Sequence, residues 1–397
     1  MKTMILAVDF GTSNVRINGI CAENGRTIVS EHEKYDILSP FNGWCELDFD
    51  GMWDKCQTCM EKLIIDIDLK KYKIAVINFS FFGACLAVTD KSGHMLRNAI
   101  LCFDSRGGDE AEWINRVVTK SRLIELTGDI CDPSGNAARL IMLRKYEPGI
   151  FEKASAYYTN QQYICSRLGL PAVNDYSMGT IRGIMDNRTG KWSDELTDDL
   201  GLDKQKFGEI VSALSIIGTI QSFGRVRLPY AVPVLPGVHD AIAGFIGMGV
   251  CSSNHILAEV TGTFDHVGYI ENGYVNVFQK NPSLSVWSSR GPFENTSSVI
   301  GVFQTSGALL EWYMKNVLFD NSEDNYDKLW EKINFDAKNN LYISPDFANG
   351  HGAIANLSIA SSKEDIFKAI IETLTFETRK CLENCEEAKQ RSRIQLR

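Results

Sequence analysis

Asp9, Gly11, Thr12, Ser13, Asn14 and Arg16 lie within eight positions, directly after an apolar run at 4–8. A carboxylate ending a buried strand can reach a Mg²⁺ ion directly or through water. Gly11 lets the backbone approach a phosphate closely. Thr12, Ser13 and Asn14 add side-chain and backbone donors, and Arg16 adds a positive charge. These are the parts of a phosphate-cradling turn, although neither GxxxxGK[ST] nor GxGxxG occurs. The same residues also suit an ordinary capped β-turn.

The pattern returns in altered form. Residues 5–12 read ILAVDFGT and residues 256–263 read ILAEVTGT. Each copy precedes a β-rich segment bearing Glu-Asn-Gly, at Glu23-Asn24-Gly25 and Glu271-Asn272-Gly273. Asn-Gly favours a type I′ hairpin, which needs positive φ at both central residues. A strand, a Gly-Thr turn and a hairpin met twice predict two related halves. Thr261, Gly262 and Thr263 would then face the first turn across a cleft and hold a polyphosphate from the other side.

Asp240 is the strongest candidate for acid–base chemistry. It follows Gly237-Val238-His239 at the end of a Pro/Gly-rich approach and precedes a small-residue helix at 241–248. A carboxylate there can take a proton from a hydroxyl as its oxygen attacks phosphorus. It can also serve as an N-cap, and the two roles are compatible.

The elements that position these residues follow from periodicity and breakers. Strands are predicted at 4–8, 15–21, 27–33, 73–80 and 85–89. Helices are predicted at 51–67, 109–126, 137–146, 161–168 and 241–248, with a long amphipathic one from Ser362 toward Lys389. At 397 residues two domains are expected, 1–248 and 249–397. The net charge of −9 disfavours a nucleic-acid or anionic-membrane binder. No apolar run reaches membrane-spanning length and Asp9 interrupts any signal core, so a cytoplasmic protein is expected. Its eleven cysteines then read as reduced thiols. Cys56-Gln57-Thr58-Cys59 falls mid-helix without a second pair at zinc spacing.

With these residues in hand, the chain resembles the FGGY carbohydrate kinases from Met4 almost to its C-terminus. Asp9-Phe10-Gly11-Thr12-Ser13-Asn14-Val15-Arg16 resembles the family's DxGTxxxR. Residues 43–48 (GWCELD) resemble its GWxExD, and Asp104-Ser105-Arg106 its DxR. Residues 174–177 (NDYS) and 192–196 (WSDEL) look like xylulokinase segments. The resemblance implies an α/β, duplicated ribonuclease-H-like fold of the actin/Hsp70/hexokinase type and ATP-dependent phosphorylation of a sugar hydroxyl. Asp240 becomes the general base and a sugar contact, and Asp9 supports Mg²⁺. Thr12, Ser13, Asn14 and Arg16 hold ATP phosphates from one domain; Thr261, Gly262, Thr263 and Gly307 meet them from the other. The partner is a small ketose or polyol, with no nucleic acid or membrane; a homodimer is one assembly it allows.

Two departures shape the expectation. Phe81-Phe82 stand where relatives carry Met-His or Arg-Glu against the sugar, which predicts aromatic stacking on the substrate or packing beneath it. The chain also stops at Arg397 before the Gly-rich turn that packs on adenine in relatives. An incomplete second domain and weak, poorly selective ATP binding are expected from that. The competing reading is a non-catalytic sugar-binding or regulatory remnant. An actin- or chaperone-like ATPase shares the fold but leaves the segments between Gly43 and Asp240 unexplained.

Overall fold

The computed structural model describes all residues except 252–255, 263, 282, 304–305, 321, 346, 348–351 and 395–397, and the side chains of 280 and 390–394. Alternation builds the first strand, β1 (Lys2–Phe10): Met4, Leu6, Val8 and Phe10 are buried while Asp9 turns to the opposite face. Antiparallel β2 (Asn14–Cys21) and β3 (Thr27–Lys34) follow. Helix α1 (Phe49–Asp66), capped by the Asp48 carboxylate, packs its apolar stripe on β2 and β3. Cys56 and Cys59 are buried in that stripe as free thiols.

Strand β4 (Tyr72–Phe81) pairs parallel to β1 on its other edge. After a long helical insertion come β5 (Gly218–Phe223), β6 (Val226–Val234) and the short β7 (Val238–His239). The seven strands run β5-β6-β4-β1-β2-β3, with β7 pairing to the end of β4. Register places Asp9 beside Ser80 on β4, and Ser80 beside Val238 on β7. Asp240 begins helix α2 (Asp240–Gly247) one residue beyond β7. The topology therefore delivers Asp9 and Asp240 to the same end of the sheet's strands.

The insertion has its own apolar core around Leu140, Tyr157 and Phe207. Its predicted helix at 109–126 is broken. A π-helical turn ends at Thr119, whose φ of 71° restarts the chain as the helix Lys120–Thr127. The helix predicted at 161–168 forms as Asn160–Arg167, begun by a Thr159/Gln162 capping box.

A second sheet contains β8 (Ala258–Thr261), β9 (Asp265–Asn272), β10 (Trp287–Arg290) and β11 (Thr296–Phe303), all antiparallel in the order β8-β9-β11-β10. The long helix α3 (Lys363–Ile394) packs on β9 and β11. The two Asn-Gly turns differ from the type I′ expectation. Gly25 alone has positive φ, not Asn24, so the first hairpin turns through a glycine bulge. After Gly273 the chain makes a long excursion through 274–294 before Asn295 O accepts a hydrogen bond from Gly273 N. β9 therefore pairs with β11 rather than with an adjacent hairpin strand.

That excursion returns to the insertion. Asn276 Nδ2 donates to Ile124 O at 2.6 Å, and Asn187 Nδ2 donates to Ser288 O at 3.0 Å. Arg290 donates to Arg188 O at 3.0 Å and lies 4.6 Å over the Tyr176 ring. Among the described residues no helix is long and apolar enough to cross a membrane.

Gly237 makes the approach to Asp240 possible. Its φ is +85°, and an added Cβ would lie 2.6 Å from Phe79 O. Gly237→Ala should therefore destabilise the fold by about 1–3 kcal/mol from backbone strain alone, before any steric cost. Urea denaturation would read this as a lowered midpoint; an unchanged midpoint would show that the backbone relaxes freely here.

Candidate active site

A cavity of about 320 Å³ lies between the two sheets and the insertion. Its floor is the turn Phe82-Gly83-Ala84, which is rigid for identifiable reasons. Asn160 Nδ2 donates to Phe82 O at 2.9 Å, Arg139 Nη1 to Ala84 O at 2.6 Å, and Asn136 Nδ2 to Cys85 O at 2.9 Å. Each donor is buried. These bonds hold Ala84 at φ +50°, a region non-glycine residues seldom occupy. Gly83 has no room for a side chain, because a Cβ would collide with the His239 ring.

Asp240 stands beside this floor. Its helix is preceded by His239 at the cap position, with no side-chain cap bond, so Asp240 is the first helical residue rather than the cap. Oδ1 accepts from Ala241 N at 2.7 Å and lies 3.4 Å from His239 Nε2. The side chain remains 42% exposed, and it lines the cavity. The protein around it still desolvates the carboxyl and pushes its pKa up, opposed by His266 and the Ala241 N–H. Asp9 is raised chiefly by burial, with the Ser80 hydrogen bond and Arg16 opposing and the Asp240 charge adding to the rise.

Two histidines complete this corner. His239 and His266 meet edge to face at 5.5 Å, one from each sheet region. Burial pushes both down to about 4, so both are neutral at physiological pH. The Phe103 and Phe264 rings also meet across the cavity, 4.7 Å apart.

The first Gly-Thr turn reaches the same space through Thr12. Gly11 N donates to Asn14 O at 2.9 Å, closing the turn, and the Tyr35 hydroxyl ties both carbonyls of that turn from below. Thr12 lines the cavity; Ser13 and Arg16 are exposed. Opposite, Gly262 N donates to Phe264 O and Gly307 N to Gly262 O, both at 3.0 Å. Thr261 and Ser306 hydrogen-bond the Asp265 carboxylate, which fastens these two loops together. The structure thus brings Thr12 and Gly262 to one cavity and Gly307 against Gly262. Thr263 lies outside the described residues.

Phe81 requires correction. It is fully buried, stacked 5.4 Å from Phe10 and 5.6 Å from Phe79, and does not line the cavity. Strand alternation sends it to the face opposite Ser80 and into the core. Phe82 lines the cavity but is only 2% exposed and packs edge-on against Phe49. It is part of the floor and of the core at once.

Several lining residues carried no sequence signal: Asp129, Asp132, Ser134, Phe264, His266 and Trp287. Each comes from an irregular or strand segment far from its neighbours in the chain. The GWxExD and DxR segments sit behind the cavity. Arg106 bonds Asp104 and Glu46 and stacks 3.8 Å over Trp44, while Asp104 Oδ2 accepts from Cys45 N at 2.8 Å. This buried cluster braces the segment presenting Cys102 and Phe103.

Residues 4–247 match the family described as the FGGY family of carbohydrate kinases, N-terminal domain. The xylulose kinase of Escherichia coli K12 is 24% identical over 313 residues, 79% of this chain. The match spans only 63% of that relative's length. A glycerol kinase from Brucella ovis is 23% identical over 96% of the chain and 78% of its own length. Among solved structures, a ligand-bound xylulose kinase from Lactobacillus acidophilus superposes with TM-score 0.80 at 21% identity, covering 96% of this chain and 78% of that one. A gluconate kinase from the same organism gives 0.79 at 21% identity, over 97% and 78%. These structural likenesses establish the fold.

The buried His239 predicts an acid-sensitive stability. Its folded pKa near 4 lies below the ordinary 6.5, so between those values only the unfolded chain takes up the proton. Stability should fall by up to about 1.4 kcal/mol per pH unit as pH drops through that window. His266 acts in the same sense; Asp9 and Asp240, raised, act in the opposite one. Urea denaturation of wild type and His239→Gln at pH 7 and pH 5 isolates the histidine, and the variant should lose part of the acid-side decline. Identical slopes would show that His239 is not held neutral by burial.

Proposed function

We propose, from the premise that the chain belongs to the FGGY family of carbohydrate kinases, that it transfers the γ-phosphoryl group of ATP to a hydroxyl of a small ketose or related polyol. The observation that carries this reading is Asp240: a carboxylate with a clamped backbone, opening onto a cavity that can hold a sugar-sized molecule. The two-domain division near Gly249, into 1–248 and 249–397, is part of the same proposal.

The chemistry asks little covalent help of the protein. The sugar hydroxyl lies against Asp240, which accepts its proton as the oxygen bonds to the γ-phosphorus and the bond to the ADP oxygen breaks. A raised pKa strengthens the carboxylate as a base, provided it remains ionised. The two histidines beside it are neutral at physiological pH. Thr12, Ser13, Asn14 and Arg16 approach the phosphates from one side and Thr261, Gly262, Thr263 and Gly307 from the other. The glycine N–H groups at 11, 262 and 307 are bonded to backbone carbonyls, so these glycines shape the turns while side chains and Mg²⁺ meet the phosphate charge.

Asp9 and Asp240 also fit a divalent cation. Two carboxylates at the same end of the sheet's strands, both pushed up by burial, with Asp240 adding to the rise at Asp9, form a pair that a cation relieves. Mg²⁺ held by Asp9 and by ATP would neutralise charge developing on the transferred group.

Asp240→Asn should lower kcat by about 10²–10⁴ while leaving the thermal transition within a degree or two of wild type. The amide keeps the Oδ1 acceptor for Ala241 N but cannot take the proton. ADP release, followed over a panel of ketoses and polyols, measures this. Because the base must be ionised, wild-type kcat should also fall as pH drops through the raised Asp240 pKa. A variant as fast as wild type would remove Asp240 from the reaction.

A further inference from the structure

We infer that Asp129 and Asp132 form an acidic wall that sets the charge class of the acceptor, admitting uncharged polyhydroxylated molecules and turning away aldonates. The inference rests on the cavity being the acceptor site proposed above, and it concerns residues that no motif or resemblance assigned.

The formal charges facing the cavity are Asp129, Asp132 and Asp240, and no Lys or Arg occurs among the described lining residues. His239 and His266, the only other titratable bases there, are neutral. Arg139 is the cation behind the floor, close enough for the Asp132 charge to act on it. It is fully buried, however, with its guanidinium donating to the Ala84 and Leu101 carbonyls at 2.6 Å each. It does not line the cavity. A substrate carboxylate would meet two or three like charges and no cation among the described lining residues.

The wall is also equipped to accept from hydroxyls. Asp129 Oδ1 takes Ile130 N at 2.7 Å, and Asp132 Oδ1 takes Ser134 N at 2.6 Å and Ser134 Oγ at 2.5 Å. These local bonds fix both side chains and leave Oδ2 of each without a protein donor among the described residues. A carboxylate oxygen in that state accepts hydrogen bonds from sugar hydroxyls. Burial, and then the neighbouring Asp132 charge, push Asp129 up to about 7, so near neutral pH Asp132 and Asp240 carry most of the wall's negative charge. Val260, Phe264, Trp287 and Val302 line the cavity from the second sheet region and offer apolar surface to the C–H face of a polyol.

The test is calorimetric binding of matched pairs, xylitol against D-xylonate and D-glucitol against D-gluconate, to the full chain without nucleotide. The uncharged member should bind on the order of tenfold tighter or more, the scale expected for like charges a few ångströms apart in a partly desolvated site. Asp129→Asn/Asp132→Asn should largely close that gap, mainly by strengthening aldonate binding. Asn retains the Oδ1 acceptor in both positions, and urea denaturation checks that the variant folds. Equal or tighter aldonate binding by wild type, or an unchanged gap in the double variant, overturns the inference. Selective polyol binding with no phosphotransfer to any acceptor supports the wall and sinks the kinase reading. Phosphotransfer to an acceptor when neither member of a pair binds overturns the wall and leaves the kinase reading standing. Absence of both binding and transfer removes the two together.

Discussion

The buried amide of Gln161 joins three segments that would otherwise have no reason to meet. Its Nε2 faces Asp175 Oδ1 at 3.3 Å and the carbonyls of Pro236 and Gly237 at 3.1 and 3.2 Å. Its Oε1 accepts from Asp175 N and Asn174 Nδ2, both at 2.9 Å. Asp175 in turn caps the helix Tyr176–Thr180 and receives the Ser177 hydroxyl, whose oxygen accepts from His239 N at 2.9 Å. The backbone on both sides of Val238 is therefore held by the insertion, not by the sheet alone. Buried polar networks rigidify through the members that are satisfied; the Gln161 amide is bonded at both ends, whereas Asn174 Oδ1 is buried without a partner among the described residues. Here the reward is a carboxylate whose helix cannot slide relative to the floor beneath it.

The same desolvation acts with opposite sign on the two kinds of titratable group at this corner. It raises Asp9 and Asp240 and lowers His239 and His266, because in each case it disfavours the charged form. Carboxyls and imidazoles are thereby moved closer together in proton affinity than they are in water. The arrangement depends on the burial of this corner, to which the second sheet region contributes His266.

What the sequence revealed, and what it hid, follows from the range of the interactions. Strands β1 to β4 and helix α1 were legible because alternation and helical periodicity are local signals, although α1 begins at Phe49, ahead of the 51 read from the sequence, where Asp48 caps it. Asp240 was legible because Gly237 and the following small residues mark a sharp strand-to-helix turn. Phe81 was misplaced by one residue of alternation: the strand continues to it, so its ring faces the core and only Phe82 reaches the cavity. The second Asn-Gly failed as a hairpin signal because the strand partner lies beyond a long excursion, and turn chemistry says nothing about that choice. Asp129, Asp132, His266 and Trp287 were invisible because they converge only through the packing of distant segments. The GWxExD and DxR residues were visible as motifs, yet their place in a buried ion cluster behind the cavity needed coordinates.

The contacts made by the excursion after Gly273 bear on cooperativity. Asn276 and Asn187 are buried, and their amides bridge the insertion and the second sheet region. Separating the regions would break both bonds, at a net cost of about 0.5–1.5 kcal/mol for each. Gly128 packs so tightly against Ser288 that any side chain there would strike its carbonyl. Unfolding of either region therefore loses contacts made with the other, which couples their stabilities.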